Sequence, residues 1–314
     1  GFVGLLAFAG PMLLSGQVPP KPVLCNRHFT LTGALRGAGV SGEVQALEMK
    51  ADADSLWFLV RAQARHMIVN TDWNGRPRLV KDLGDVQAAG LAATSSGVAT
   101  QIIDKSRGTR LLFLNTNGEV RNSIPISCVT LDNLLSYGDA VGTICPDGSF
   151  VFHDPSNGER RGTSWARNGT LAAALTADEF LIADRTTGQL LRNDLTRGIL
   201  AVVPANADIG EQYGVVSTSL EGSRVPPGAA FPRPIVIEDF ARAGSENYFL
   251  LYPYNSNQGA LVLITDQSGK TRSKLLCPIP SGFGGAAYKL GVAANSLALL
   301  STNLDVAIYG RDAR

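Results

Sequence analysis

From His66 to Leu83 the chain reads HMIVNTDWNGRPRLVKDL: an apolar run, a polar turn around Asn74-Gly75, then a second run carrying basic residues. Two strands joined by a tight turn account for that order, because Asn and Gly both tolerate the positive φ of a two-residue hairpin turn. The order recurs in LLFLNTNGEVRNSI (Leu111 to Ile124), FVFHDPSNGERRGTS (Phe150 to Ser164), FLIADRTTGQLLRND (Phe180 to Asp194) and LVLITDQSGKTRSKL (Leu261 to Leu275). Each copy gives an apolar triplet, Asn or Asp, a glycine, then Arg or Lys. Alternation and turn chemistry of this kind predict strands along the whole chain.

A spacing of about 30 to 45 residues, with strands in every unit, is the pattern of a radial β array, and a β-propeller is the leading reading. Lettering strands A to D from the channel outward, the first unit predicts Gln45 to Lys50, Leu56 to Arg61, His66 to Asn70 and Arg78 to Leu83. The last unit predicts strands near Lys289 to Ala293, Leu297 to Ser301 and Val306 to Tyr309, and lacks a fourth. Near the other end, Arg27 to Gly33 alternates, with Phe29 and Leu31 facing one way, and has no partner nearby in sequence. It predicts the missing outer strand, closing the ring. The expected fold is therefore all-β, a six-bladed β-propeller whose last blade is closed by the N-terminal strand. Seven blades are the alternative if the irregular stretch from Gly198 to Arg233, which contains Ile199 to Val203, hides a further sheet.

These hairpins and the split last unit resemble the six-bladed β-propellers of the NHL and TolB-like superfamily, over residues 25–314. No regularly repeated NHL signature, WD dipeptide or kelch double glycine accompanies them. The resemblance implies a comparison with propeller lactonases, which hold calcium in the central channel through Glu, Asn and Asp. Glu48, Asn133, Glu238 and Asn295 are the nearest positions here.

Residues 1–14 carry no charge and run into Ser15-Gly16-Gln17 and the proline-rich Val18 to Pro22. Such a run fits the apolar region and small-residue cleavage zone of a signal peptide and is short for a bilayer span. The expected organisation is a signal-peptide remnant over 1–17, a linker over 18–24 and the propeller over 25–314, in a secreted or periplasmic protein with no membrane span in the mature chain. A buried element at a true N-terminus is the alternative. Four cysteines, Cys25, Cys128, Cys145 and Cys277, suit export but have no zinc-like spacing. Cys25 with Cys277, and Cys128 with Cys145, are the pairings weighed against free buried thiols. With 28 Lys and Arg against 27 Asp and Glu, the net charge of +1 argues against nucleic acid as a partner.

Chemical motifs are sparse. The three histidines, His28, His66 and His153, fall on an outer strand and at opposite ends of C strands, so no metal site is expected from them. Asp52-Ala53-Asp54 has the spacing of a calcium loop without its glycine and distal Glu, and reads as an A–B turn. Glu238-Asp239 reads as the end of an inner strand, with one carboxylate toward the channel. No nucleophile motif is present, and Gly282 to Gly285 reads as a D–A link.

The longer loops fall on the face holding the B–C and D–A connections, where a rigid scaffold presents recognition groups. Arg65, Lys105, Arg107, Tyr213, Arg224, Tyr252, Tyr254 and Asn255 are the candidate ligand-binding residues, a cationic and aromatic set suited to a protein, peptide or glycan partner. The functional expectation is a binding scaffold, not an enzyme, without a cofactor. A metal-dependent hydrolase or lyase at the channel mouth, with calcium, is the alternative.

Overall fold

The computed structural model describes residues 20–37, 39–127, 134–145, 147, 149–155, 158–163, 171–185, 189–203, 237–255 and 259–310. In chain order, β1 (Pro20–Pro22), β2 (Cys25–Thr30) and helix α1 (Leu31–Gly37) precede the blades. Blade one is β3 (Val44–Ala51), β4 (Ser55–Ala62), β5 (Arg65–Asp72) and β6 (Pro77–Asp82); blade two is β7 (Gln87–Thr94), β8 (Gly97–Asp104), β9 (Gly108–Asn115) and β10 (Val120–Pro125). Blade three is β11 (Leu135–Tyr137), β12 (Ala140–Ile144), β13 (Ser149–Asp154) and β14 (Gly158–Thr163); blade four is β15 (Leu171–Ala174), β16 (Glu179–Ala183), β17 (Leu190–Asp194) and β18 (Gly198–Val203). Blade five is β19 (Ile237–Ala243), β20 (Glu246–Asn255), β21 (Gly259–Thr265) and β22 (Thr271–Cys277); blade six is β23 (Ala287–Val292), β24 (Ser296–Ser301) and β25 (Asp305–Gly310), completed by β2.

The described residues thus form six antiparallel blades, one of them extended by β1. The closing strand is where alternation placed it: Phe29 lies opposite Val306 and Thr30 opposite Asp305. Its predicted C-terminal end differs, because Leu31 to Gly33 open α1 and bury Leu31 and Leu35 between blades six and one. Ile199 to Val203, read as an irregular connection or the start of a seventh blade, belong to β18, the outer strand of blade four, in register with β17. Pro20–Pro22 pair in parallel with β22, where proline's missing N–H is tolerated because the strand lies at a sheet edge.

The turn chemistry differs from the expected two-residue form. Asp72 Oδ1 accepts from the N–H groups of Asn74 and Arg76 at 2.8 and 2.9 Å, and the Gly75 N–H donates to the Asp72 carbonyl at 3.0 Å. Gly75 alone takes positive φ, at 79°. Asn115 with Gly118 and Asp266 with Gly269 repeat this arrangement. The Asn or Asp of the repeat is therefore the anchor of the loop, and its glycine, three residues on, supplies the left-handed position. That glycine has a second task. Phe29 of β2 lies directly over Gly75, and Leu79 of β6 lies over Gly118, so the outer strand of each of these blades rests on the next blade's turn. Gly75→Ala should cost about 1–3 kcal/mol for the backbone alone, and more if Phe29 cannot move; urea unfolding of the variant measures it.

Four of the five repeat copies are C–D hairpins, whereas Phe180 to Asp194 forms the B–C hairpin of blade four. The apolar triplet cannot separate the two strands, because both are buried on both faces. Along β4, Phe58 and Val60 face blade six while Trp57 and Leu59 face blade two. Six apolar clusters result, each shared by two neighbouring blades, from blades six and one round to blades five and six. Between blades three and four, Phe150 and Phe180 stack with centroids 3.9 Å apart.

Candidate functional site

The inner strands β3, β7, β11, β15, β19 and β23 surround the channel. In four of them a bulge interrupts the A–B ladder at a corresponding point: between Ala46 and Glu48, Ala89 and Leu91, Ile237 and Asp239, and Ala287 and Lys289. A bulge re-aims the side chains beside it and leaves backbone groups to be satisfied otherwise. The Ala46 carbonyl accepts from the Tyr288 hydroxyl at 2.8 Å, and the Gly90 carbonyl from the Thr100 hydroxyl at 2.8 Å.

Three of these bulges bring charge together from blades one, five and six. Glu48 and Asp239 are 4% and 1% exposed. Lys289 Nζ lies 3.0 Å from Glu48 Oε2, and Lys50 Nζ lies 3.6 Å from Glu48 Oε1. The Met49 N–H donates to Glu48 Oε1 at 3.1 Å; Phe240 and Leu290 N–H groups donate to the two Asp239 oxygens at 2.9 and 2.7 Å. Burial alone would raise the Glu48 carboxyl, but the charges of Lys289 and Lys50 outweigh it and hold it below the usual range. For Asp239 burial wins over the same two lysines, and the charge of Glu48 adds to it, so its carboxyl is raised.

Those directions limit the chemistry. Burial opposes charge on Lys289, yet Glu48 and Asp239 keep it an ammonium well above neutral pH. The Tyr288 phenol is pushed up to about 12 by burial, with Glu48 and Asp239 adding to the effect. Neither supplies a nucleophile or base near neutrality. Beside them Glu238, raised mainly by burial, lies 3.6 Å from Arg185 of blade four, which also donates to the Ile237 and Glu238 carbonyls at 3.1 and 2.9 Å. Glu238-Asp239, read as ending an inner strand, instead opens one, since the bulge lets the ladder begin at Ile237.

Of the calcium candidates, Glu48 and Asn295 lie apart along the channel wall. The Glu48 carboxylate is already balanced by ammonium groups, which would repel a divalent cation, and Asn295 lies in the turn at the far end of β23. Asn133 lies outside the described residues. Among the described residues no three His, Cys, Asp or Glu side chains converge as metal ligands. His28 bonds Asp305 at 3.1 Å within blade six, and Asp52 anchors its turn through Ser55 and the Trp57 indole N–H at 2.7 Å. Cys25 and Cys277 are free thiols and Cys145 is disulfide-bonded; Cys128 lies outside the described residues.

Of the candidate ligand-binding residues, Arg65 opens β5 and Lys105 and Arg107 form the β8–β9 turn, all exposed on the same face of neighbouring blades. Arg65 pairs with Asp82 at 2.6 Å; neither Lys105 nor Arg107 makes an ion pair among the described residues. Tyr252, Tyr254 and Asn255, expected in a loop, continue β20, where Asn255 pairs with Gly259. Tyr213 and Arg224 lie outside the described residues. Sequence reasoning misses Lys50 and Lys289; the available signal is a cation on an inner strand, two residues after Glu48 in β3 and among apolar neighbours in β23.

Six radial blades around a channel, closed by a strand from the other end of the chain, define this protein as a six-bladed β-propeller. No family model and no curated protein matches the chain. Among solved structures it is similar to BamB from Moraxella catarrhalis, at 14% identity and a TM-score of 0.46, over 86% of this chain and 98% of that one. It is also similar to the Pan2 WD40 domain from Neurospora crassa, at 11% identity and a TM-score of 0.48, over 86% and 90%. Likeness at this level leaves both architecture and function to be read from the chain's own residues.

Proposed function

We propose that the chain is a secreted or periplasmic binding scaffold whose partner, a protein or peptide bearing acidic side chains, docks on the B–C face of blades one and two. The observation that carries this reading is the set Arg65, Lys105 and Arg107, exposed at the B–C turns of two neighbouring blades, with the latter two lacking an ion pair among the described residues. Cations held on a fixed scaffold steer an acidic partner and set its orientation. Export is supported by the uncharged residues 1–14 and by the disulfide at Cys145, a bond that persists in oxidising compartments. Glu48, Asp239 and Lys289 belong to the scaffold itself, because their charges face one another.

Capture of binding partners by the immobilised full chain, with mass-spectrometric identification, tests the reading. The triple variant R65E/K105E/R107E should lose at least about tenfold in affinity for the captured partner, and wild-type binding should weaken as salt rises above about 0.15 M. Equal capture by wild type and variant would remove this face from the account.

A further inference from the structure

On the A–B side of the ion cluster the channel widens into a cavity of about 320 Å³, to which the inner segments of all six blades contribute. That is the lower end of the range for small-molecule sites. Its walls are mostly small and aliphatic, including Ala92, Leu135, Ala174 and Val292. Two charged groups line it, Lys50 and Arg242, and no carboxylate does. Glu48, which balances Lys50, and Asp239 lie outside the lining.

Arg242 is the unbalanced group. It is half-buried on β19, and its guanidinium donates to the Asn247 side-chain oxygen at 3.3 Å, a long and neutral contact. It makes no ion pair among the described residues. Burial, and then the charge of Arg192, itself held by Glu179, push its pKa down. A guanidinium and an ammonium that line one cavity with no carboxylate beside them are matched by a carboxylate, which can accept two parallel hydrogen bonds from the guanidinium.

We propose that this cavity binds a small monocarboxylate with an aliphatic body, its carboxylate on Arg242 with Lys50 in support and its body against the alanine, leucine and valine walls. The site opens away from the B–C turns, so it stands or falls separately from the partner surface there.

Titration calorimetry and thermal unfolding of the full chain with hexanoate, hexanol, hexylamine and inorganic phosphate test it. Hexanoate should bind one to one and raise the unfolding temperature, while the other three should do neither at concentrations up to about 10 mM, tenfold above the Kd that about −4 kcal/mol gives. Arg242→Met should weaken hexanoate by about tenfold or more, and Ala174→Leu should obstruct it by filling the wall. Hexanol binding as well as hexanoate would mean an apolar void without anion recognition, and phosphate binding equally would mean a general anion site; either overturns the proposal. So would silence from hexanoate, or undiminished binding to a folded Arg242→Met. If that variant does not fold, the comparison of hexanoate with hexanol on the wild type decides alone.

Discussion

Lys289→Met should destabilise the propeller by about 3–5 kcal/mol, the usual cost of breaking a buried ion pair from one side. The methionine fills the space of the lysine stem, so the loss measures charge more than packing. Glu48, 4% exposed, would keep the Met49 N–H and Lys50 at 3.6 Å but lose its contact at 3.0 Å. The double variant K289M/E48Q should recover part of the loss, because it removes the buried carboxylate that Lys289→Met leaves behind, while Lys50 and Asp239 remain; a double-mutant cycle by urea unfolding gives the coupling. The pH dependence carries the sign. In the wild type the Glu48 carboxyl is held below its usual range, so its contribution is present above that range and disappears as pH falls through the folded-state value. Without Lys289 burial dominates and the carboxyl moves above the usual range. The variant's deficit should therefore be greatest at neutral pH and shrink on acidification as Glu48 protonates. A deficit independent of pH would show that the lysine acts by packing.

Removing residues up to Thr30 should abolish cooperative unfolding. Strand β2 supplies every ladder partner of β25 on its outer side, from Cys25 opposite Tyr309 to Thr30 opposite Asp305, and carries Phe29 onto the first blade's turn. Without it, β25 becomes an edge strand whose flanking residues, Val306 and Ile308, belong to the cluster shared with blade one. Loss of β2 uncovers the outer edge of blade six and removes Cys25 and Phe29 from the clusters on its two sides, a large loss against a net stability of about 5–15 kcal/mol. Circular dichroism should keep strand signal while the thermal transition broadens, and a peptide covering residues 20–37, added in trans, should restore a sharp one. A truncated chain with an unchanged transition would mean that the ring holds without its clasp.

The blades and their closure were legible because each depends on local pattern: apolar runs bounded by Asn or Asp and Gly, and an alternating strand left without a neighbour. The phase of Phe180 to Asp194 was not, since B and C strands are buried alike on both faces. Helix α1 was hidden because Leu31 prolongs the alternation begun at Phe29. Pro20–Pro22 read as linker because proline is poor in strands, a rule that fails at an edge. The position of Lys105 and Arg107 in a B–C turn was legible from strand pattern. The channel was least so: Glu48, Asp239 and Lys289 meet only after ring closure and only because bulges turn them, and no local sequence signal marks either event.

The pairing of β2 with β25 also fixes a timetable. His28 and Asp305, which bond across the seam, are separated by 277 positions, so on the ribosome β2 waits for β25 before either can be covered. Contacts between such remote segments slow folding, and a waiting ribbon with unsatisfied backbone is open to capture by other chains. Closure of the ring therefore leaves this propeller vulnerable until β25 has been made, the interval in which a holding chaperone would protect it most.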